Sequence, residues 1–542
     1  MIQGEWVRRG WGVVAALALI AAGCGNNGTT TTVTGSGGNI GGGGSGGSST
    51  GSGGSGTGGS STGSGGSATG GTSGSGGSGG SSTGTGGSAT DGGGDGATTD
   101  GAGTGGVKVD GGGTGGTVGG DASMNDGGGS GSCAAGLTGA GVVRIIKNGA
   151  TFAMTRDGVP YYIKGIAGGS NLGLAQSYGV NSTRTFSSAG ALALLDDAKA
   201  HCITVLLGIE LSQNNADYNN ASFLNGKRAE VTNLIGMIKN HPALLMWALG
   251  NEINLGADTQ EAWTFVGELA RTIHAGDPNH PVITVFAGAN VTAINHAVQW
   301  APGLDAIGVN SYAAVGTVAT DVAGSNFTGP LVVTEWGPTG HWESPNTSWA
   351  RPIEETSGAK SRVYKTRYEA FSHKARTLGD YVFLWGSKIE RTPTWYGMFL
   401  ETNADLGLKG ESLPTVDTMA FEWSGGYPAN RAPDVTAFTL GGKVATNSIT
   451  VNAGQSLPAQ VTVTDPEGDT LSYAWEILQD PAQPDLKGAP EPREPRVGAV
   501  QKTTAPTLMV TAPAQSGQYR LFVYVLDGKG HAGTANIPFK VN

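Results

Sequence analysis

Residues 240–252 read NHPALLMWALGNE. A short apolar run, residues 243–249, stands there between His-Pro and Gly-Asn-Glu, which is the pattern of a buried strand ending on polar side chains. Working toward the amino terminus, residues 230–240 read as a helix, 203–211 as a buried strand, 192–201 as an amphipathic helix and 180–186 as a strand. Toward the carboxyl terminus come helix 259–274, strand 281–286, helix 292–300 and strand 306–312. Strand 331–336, helix 362–378, strand 381–385 and helix 414–423 follow. Upstream, Asn148-Gly149 joins the strand-like runs 142–146 and 151–154 as a hairpin, and Asp157-Gly158 turns the chain into strand 161–165. Eight strands separated by mostly helical crossovers predict an α/β fold with a parallel sheet, a (β/α)8 TIM barrel spanning residues 133–432. A doubly wound sheet is the alternative, but no glycine-rich phosphate loop follows the first strand.

Barrel chemistry sits at the carboxyl ends of the strands. Arg184 ends the second strand, Asn251 and Glu252 the fourth, Asn310 and Tyr312 the sixth. Glu335 and Trp336 end the seventh and Trp385 the eighth. Two carboxyl groups at strand mouths, with an arginine and flat aromatic rings around them, are what cleavage of a glycosidic bond requires. One group protonates the leaving oxygen, the second attacks or stabilises the oxocarbenium-like carbon, and the rings stack on sugar. No cofactor and no metal is expected.

The stretch 240–252 also closely resembles the acid/base segment of the glycoside hydrolase family 2 barrel. Residues 277–282 (DPNHPV) resemble that family's DPTRPV, with His280 where arginine is usual, and residues 333–337 (VTEWG) resemble its nucleophile strand. The resemblance implies that Glu252 is the acid/base and Glu335 the nucleophile of a retaining enzyme. It further implies that Asn251 holds the sugar 2-hydroxyl, that Tyr312 hydrogen-bonds the nucleophile, and that Arg184 and Trp385 line the same subsite. From these neighbours Glu335 is expected to stay ionised while Glu252 keeps its proton. Members of that family carry two β-sandwich domains ahead of the barrel, where this chain has a glycine tract. His341, Trp342 and Glu343, and Lys388, Glu390 and Arg391, read either as ligand contacts or as loop packing.

The chain has 542 residues, 97 of them glycine, and a formal net charge of −10 with no Lys/Arg run, which speaks against nucleic acid as a partner. Residues 25–132 are almost entirely Gly, Ser, Thr and Ala; without apolar surface to bury they are expected to be disordered. Ahead of them, Arg8, Arg9 and the apolar stretch 12–22 (GVVAALALIAA) read as an export signal. Residues 20–24 (IAAGC) resemble a bacterial lipobox, which implies that Cys24 is lipidated and that residues 1–24 form a lipoprotein signal. The tract then becomes a flexible tether, and the protein is expected to be exported and lipid-anchored at the cell surface or outer membrane. Cys133 and Cys202 remain, able to bridge or to stay free.

Beyond residue 432 the composition changes to short strands rich in Val, Thr, Leu and Tyr between Pro and Gly turns, which predicts a small all-β immunoglobulin-like sandwich over residues 433–542. Residues 465–473 and 519–528 resemble the cadherin-like modules appended to secreted carbohydrate enzymes. Asp465, Glu467, Asp469 and Asp527 there read either as calcium ligands or as solvated turns. All the expected chemistry lies upstream, so the barrel is expected to work without this module. The leading expectation is a monomeric, retaining β-glycoside hydrolase acting on an extracellular or periplasmic polysaccharide or oligosaccharide. A β-glucan transglycosylase with the same carboxylate pair, or a non-catalytic surface glycan-binding lipoprotein, stands as the alternative.

Overall fold

The computed structural model of the chain describes residues 136–480 and 491–542. Residues 1–132, with the leader, Cys24 and the tether, and Cys133 lie outside the described residues. Strands β1 (Val143–Asn148), β2 (Thr151–Arg156) and β3 (Val159–Pro160) form an antiparallel meander ahead of the barrel. Asp157 and Gly158 both take positive φ (51° and 81°), the backbone of a tight hairpin turn. Val143 and Met154 share the inner barrel core with Leu206, Leu245, Ile283 and Tyr381. Backbone bonds from Val143 to Asn279 and from Phe152 to Ala375 fasten the hairpin to the amino-terminal end of the barrel.

The barrel itself closes from eight parallel strands: β4 (Ile163–Ala167), β5 (Ser182–Arg184), β6 (Thr204–Ile209), β7 (Leu244–Leu249), β8 (Val282–Ala287), β9 (Ala306–Asn310), β10 (Leu331–Trp336) and β11 (Thr377–Val382). Its outer layer holds helices α1 (Leu172–Ser177), α2 (Ala191–Ala200), α3 (Ala221–Ile238), α4 (Gln260–Gly276), α5 (Val291–Trp300), α6 (Val318–Ala323), α7 (Ser357–Phe371) and α8 (Pro414–Ser424). Strand β7, LLMWAL, is buried at every position, with Trp247 and Leu249 toward the helices and Leu245, Met246 and Ala248 in the inner core.

The eighth strand departs from expectation. Helix α7 stops at Phe371, Ser372 is extended and His373 has φ 54°, so the strand starts at Thr377, inside the stretch read as helix. Its sequence, TLGDYV, carries Gly379 and a fully buried Asp380 in mid-strand, which hides it from an apolar-run criterion.

After α8 come two sheets with one core between them. The first has the order β12 (Asp434–Leu440), β14 (Ser456–Thr464), β17 (Thr507–Thr511). The second has the order β13 (Ile449–Val451), β19 (Ala532–Val541), β18 (Gly517–Leu526), β15 (Ser472–Gln479), β16 (Arg496–Thr503). Val435, Phe438 and Val461 of the first sheet meet Trp475, Val523 and Ile537 of the second. The candidate calcium ligands are engaged within the protein: Glu467 pairs with Arg431, Asp469 with Lys529, and Asp527 accepts from Asn430 and His531. Among the described residues no group of three or more His, Cys, Asp or Glu could hold a metal ion.

The sandwich is welded to the barrel. Leu400, Leu406, Leu408 and Leu413, from the segment between β11 and α8, form one buried cluster with Leu478, Phe522, Tyr524 and Ala532 of the larger sheet. Buried polar groups lie alongside. Arg520 donates to Asp480, which also faces Arg351 and Arg391. Glu354 accepts from Lys360, Thr392, Thr394 and Asn536. Although burial alone would raise the Glu354 carboxyl, Lys360 and these donors hold it below its usual value.

Cys202, at the carboxyl end of α2 with φ 56°, is disulfide-bonded. Among the described residues no helix is long and apolar enough to cross a membrane.

Candidate active site

Side-chain alternation along the strands sets what faces the barrel axis. On β9, Ile307 and Val309 join the outer core while Ala306 and Gly308 face inward, so Asn310 faces inward at the mouth. The β9–β10 register shifts between Val333 and Glu335. This bulge, the usual device for re-aiming a strand-end side chain, directs both Thr334 and Glu335 toward Asn310 and turns Trp336 outward.

Glu252 follows β7 through a sharp turn. Gly250 takes φ 78°, and a Cβ there would meet Ile253 at 2.8 Å, so the turn needs glycine. Glu252 itself has φ 55°, and its N–H donates to Val285 of the next strand (2.9 Å).

The two carboxyl groups meet at one side chain that the sequence reading placed at a strand end without a role. The Asn310 amide nitrogen donates to Glu252 Oε1 (2.9 Å) and lies 3.4 Å from Glu335 Oε2, with Asn251 Oδ1 at 3.1 Å. One amide nitrogen thus reaches an oxygen of each carboxyl group.

Around Glu335, the Tyr312 hydroxyl donates to Oε1 (2.7 Å) and the Arg184 guanidinium lies 3.5 Å from Oε2. Arg184, 1% exposed, also donates to Asn251 Oδ1 and the Thr334 carbonyl (2.6 Å each) and stacks 4.5 Å over Phe186. Its place is fixed from several sides.

Burial and then the charge of Glu252 push the Glu335 carboxyl up to about 7, against the opposing pull of Arg184 and Tyr312. Burial raises Glu252 as well, with the Asn310 hydrogen bond and Arg184 pulling back and Glu390 adding to the rise. Both carboxyls are thus raised, and the two titrate as a linked pair. Burial and the nearby Glu335 charge keep Tyr312 protonated as a donor.

The structure therefore brings together Glu252, Glu335, Asn251, Arg184 and Tyr312. It separates two aromatics from them. Trp336 is fully buried, packs on Tyr364, Tyr368 and Phe371 of α7, and donates to Asp380. Trp385 is 1% exposed against Tyr178 and Phe399. Both belong to the core against the helical layer. In place of Trp385, Phe383 takes the inward position, edge-on to Phe186 (6.2 Å) and Tyr396 (5.9 Å), in a cluster with Tyr312 and Trp395.

On the loop after β11, Lys388 and Glu390 pair at 2.5 Å; Lys388 lies over Phe383, and the Glu390 charge reaches both catalytic candidates. Arg391 turns away to Asp480, and Glu491 of the sandwich side bonds the Ile389 carbonyl and the Arg391 N–H. His341 shares a hydrogen bond with the Tyr396 hydroxyl (2.8 Å), and Glu343 accepts from the backbone at Ala313 and Gly340. Those two residues serve loop structure.

Residues 186–337 match the family model described as "Glycosyl hydrolases family 2, TIM barrel domain", a span that holds both glutamates. No curated protein matches the chain. Among solved structures, it is similar to a candidate β-galactosidase from Bacteroides fragilis at 12% identity and TM-score 0.41, covering 74% of this chain and 58% of that one. A β-glucuronidase from Ruminococcus gnavus in complex with D-glucuronic acid is similar at 14% identity and TM-score 0.39, covering 52% of each chain. An active-site mutant of Rhizomucor miehei β-1,3-glucanosyltransferase in complex with laminaritriose is similar at 12% identity and TM-score 0.31, covering 41% of this chain and 86% of that one. The chain thus spans little more than half the length of the first two, and the family model that it matches is a glycoside hydrolase barrel over residues 186–337.

Proposed function

We propose that the chain is a retaining β-glycoside hydrolase that acts on an extracellular or periplasmic polysaccharide or oligosaccharide through a covalent glycosyl-enzyme. The observation that carries this reading is the single Asn310 amide within 2.9 and 3.4 Å of Glu252 and Glu335, with Tyr312 and Arg184 on the second of them alone. A carboxylate held by a hydroxyl and a guanidinium has its free lone pair fixed in direction, which suits a nucleophile. Glu252 lacks such cationic or hydroxyl partners in its hydrogen bonding and can exchange its proton.

In the first step Glu335 attacks the anomeric carbon while Glu252 gives its proton to the departing oxygen, leaving a glycosyl ester on Glu335 and a carboxylate at Glu252. In the second, Glu252 takes a proton from water as that water displaces Glu335, restoring both groups. Asn251 and Asn310 orient the carboxyls and offer polar atoms to the ring hydroxyls. The Phe186–Phe383–Tyr396 wall excludes water from one side.

The export signal and the IAAGC stretch support a further part of the same proposal: Cys24 carries a lipid and residues 25–132 tether the enzyme to the outer face of a bacterial membrane.

Proton NMR of the reaction on a 4-nitrophenyl β-glycoside tests the mechanism. The β-anomer of the free sugar appearing first supports retention, and the α-anomer first contradicts it. Accumulation of longer oligosaccharides in place of free sugar would reassign the same intermediate to a transglycosylase.

A further inference from the structure

Past Glu335 the chain turns back over the barrel mouth. Trp342 lies in that turn and is 59% exposed, the one tryptophan so exposed among the described residues. Its ring is nonetheless held in place. It stands edge-on to Tyr312 (centroids 5.3 Å, planes at 85°), edge-on to His341 (5.0 Å, 80°) and nearly parallel to Tyr396 (6.5 Å, 23°).

Gly340 lies directly beneath the indole, where a Cβ would come within 2.6 Å of the ring. The Glu343 carboxylate accepts from the N–H groups of Gly340 (3.2 Å) and Ala313 (3.1 Å), tying the turn to the segment that carries Tyr312. Tyr312 in turn bonds Glu335 at 2.7 Å. A flat apolar face is therefore presented to solvent, fixed in orientation, one aromatic ring away from the carboxyl pair. Fold packing does not require that exposure, since an indole gains by burial.

We propose that Trp342 is the platform of a sugar-binding subsite beside the one where the bond is cleaved, taking a pyranosyl ring of an oligosaccharide on its C–H face. The inference rests on the glycosidase reading and narrows it: the substrate is a chain of linked sugars, and a glycoside with a single sugar leaves this platform empty. A pyranose presents axial C–H groups on one face and hydroxyls around its rim, so an exposed indole desolvates the first while leaving the second in water.

The test compares the full-length parent, Trp342→Ala and Trp342→Phe on two probes. One is the 4-nitrophenyl β-glycoside the parent turns over best among glucoside, galactoside, mannoside and glucuronide. The other is the β-linked trisaccharide of the same sugar. Trp342→Ala is expected to lose about tenfold more in kcat/KM on the trisaccharide than on the aryl glycoside, chiefly through KM, the scale of one stacked aromatic contact. Trp342→Phe is expected to recover most of that difference. Equal losses on the two probes would assign Trp342 to supporting Tyr312 and overturn the subsite, as would parent-like trisaccharide kinetics in Trp342→Ala. A parent inert on every glycoside would defeat the glycosidase reading itself, a result distinguishable from either.

Discussion

Removing everything beyond Ala432 is expected to destroy the barrel as a soluble protein, although no proposed catalytic group lies in the removed part. The reason is the face the sandwich covers. Leu400, Leu406, Leu408 and Leu413 are between 1% and 3% exposed and share their core with sandwich residues. Exposing four such side chains costs about 1.5–3 kcal/mol each, so ~6–12 kcal/mol in all as an upper estimate. Typical domain stability is only ~5–15 kcal/mol. The cut also strips Asn536 from Glu354 and Asp480 from Arg351 and Arg391, and buried charged groups left unpaired cost more still. Expression of residues 133–432 followed by size-exclusion chromatography and thermal melting reads the outcome. Aggregation, or a melting point many degrees below the full chain, is expected. A monomeric fragment melting within a few degrees of the parent, with parent turnover on an aryl glycoside, would refute the reasoning and make the sandwich a passenger.

Three further outcomes follow from particular contacts. Glu390→Gln removes a negative charge that raises both Glu252 and Glu335, so both limbs of the kcat/KM pH profile are expected to move to lower pH; an unmoved profile would remove Glu390 from the site. Asp380 is pushed by burial from 3.8 to about 8, so between those values the folded chain holds a proton the unfolded chain has lost, and stability falls as pH rises across that window. Asp380→Asn, which keeps an acceptor for Trp336, is expected to abolish that fall and melt higher than the parent at pH 8; an unchanged pH dependence of melting would contradict this. Cys24→Ser is expected to move the protein from the membrane to the soluble fraction, and identical partitioning of mutant and parent would refute the lipid anchor.

The barrel was legible because some of its strands are unbroken apolar runs, as in LLMWAL of β7, and because polar side chains cluster where those runs stop. The eighth strand was not, since Gly379 and Asp380 interrupt its apolar character for reasons that only its neighbours supply. The same limit separates the site residues. Glu252, Glu335, Asn251, Arg184 and Tyr312 could be placed at strand ends by position alone. Trp336 and Trp385 were placed there equally well, yet both lie in the outer core; for Trp336 a one-residue bulge decides which way the strand-end side chain points. A signal for Asn310 was present: it shares the inward parity of Ala306 and Gly308 on β9. The barrel–sandwich seam left no signal, because Glu354, Asp480 and Arg520 read as surface residues until their partners, far along the chain, close over them.

The central claim is that Glu335 forms the covalent bond to sugar and Glu252 serves it as acid and base. Turnover of an activated aryl β-glycoside by Glu335→Ala, with and without azide, tests this most directly. Loss of turnover without azide, restored by azide with an α-glycosyl azide as product, is the expected result, the small anion entering by the face the carboxylate leaves open. Near-parent turnover by Glu335→Ala in the absence of azide would contradict it.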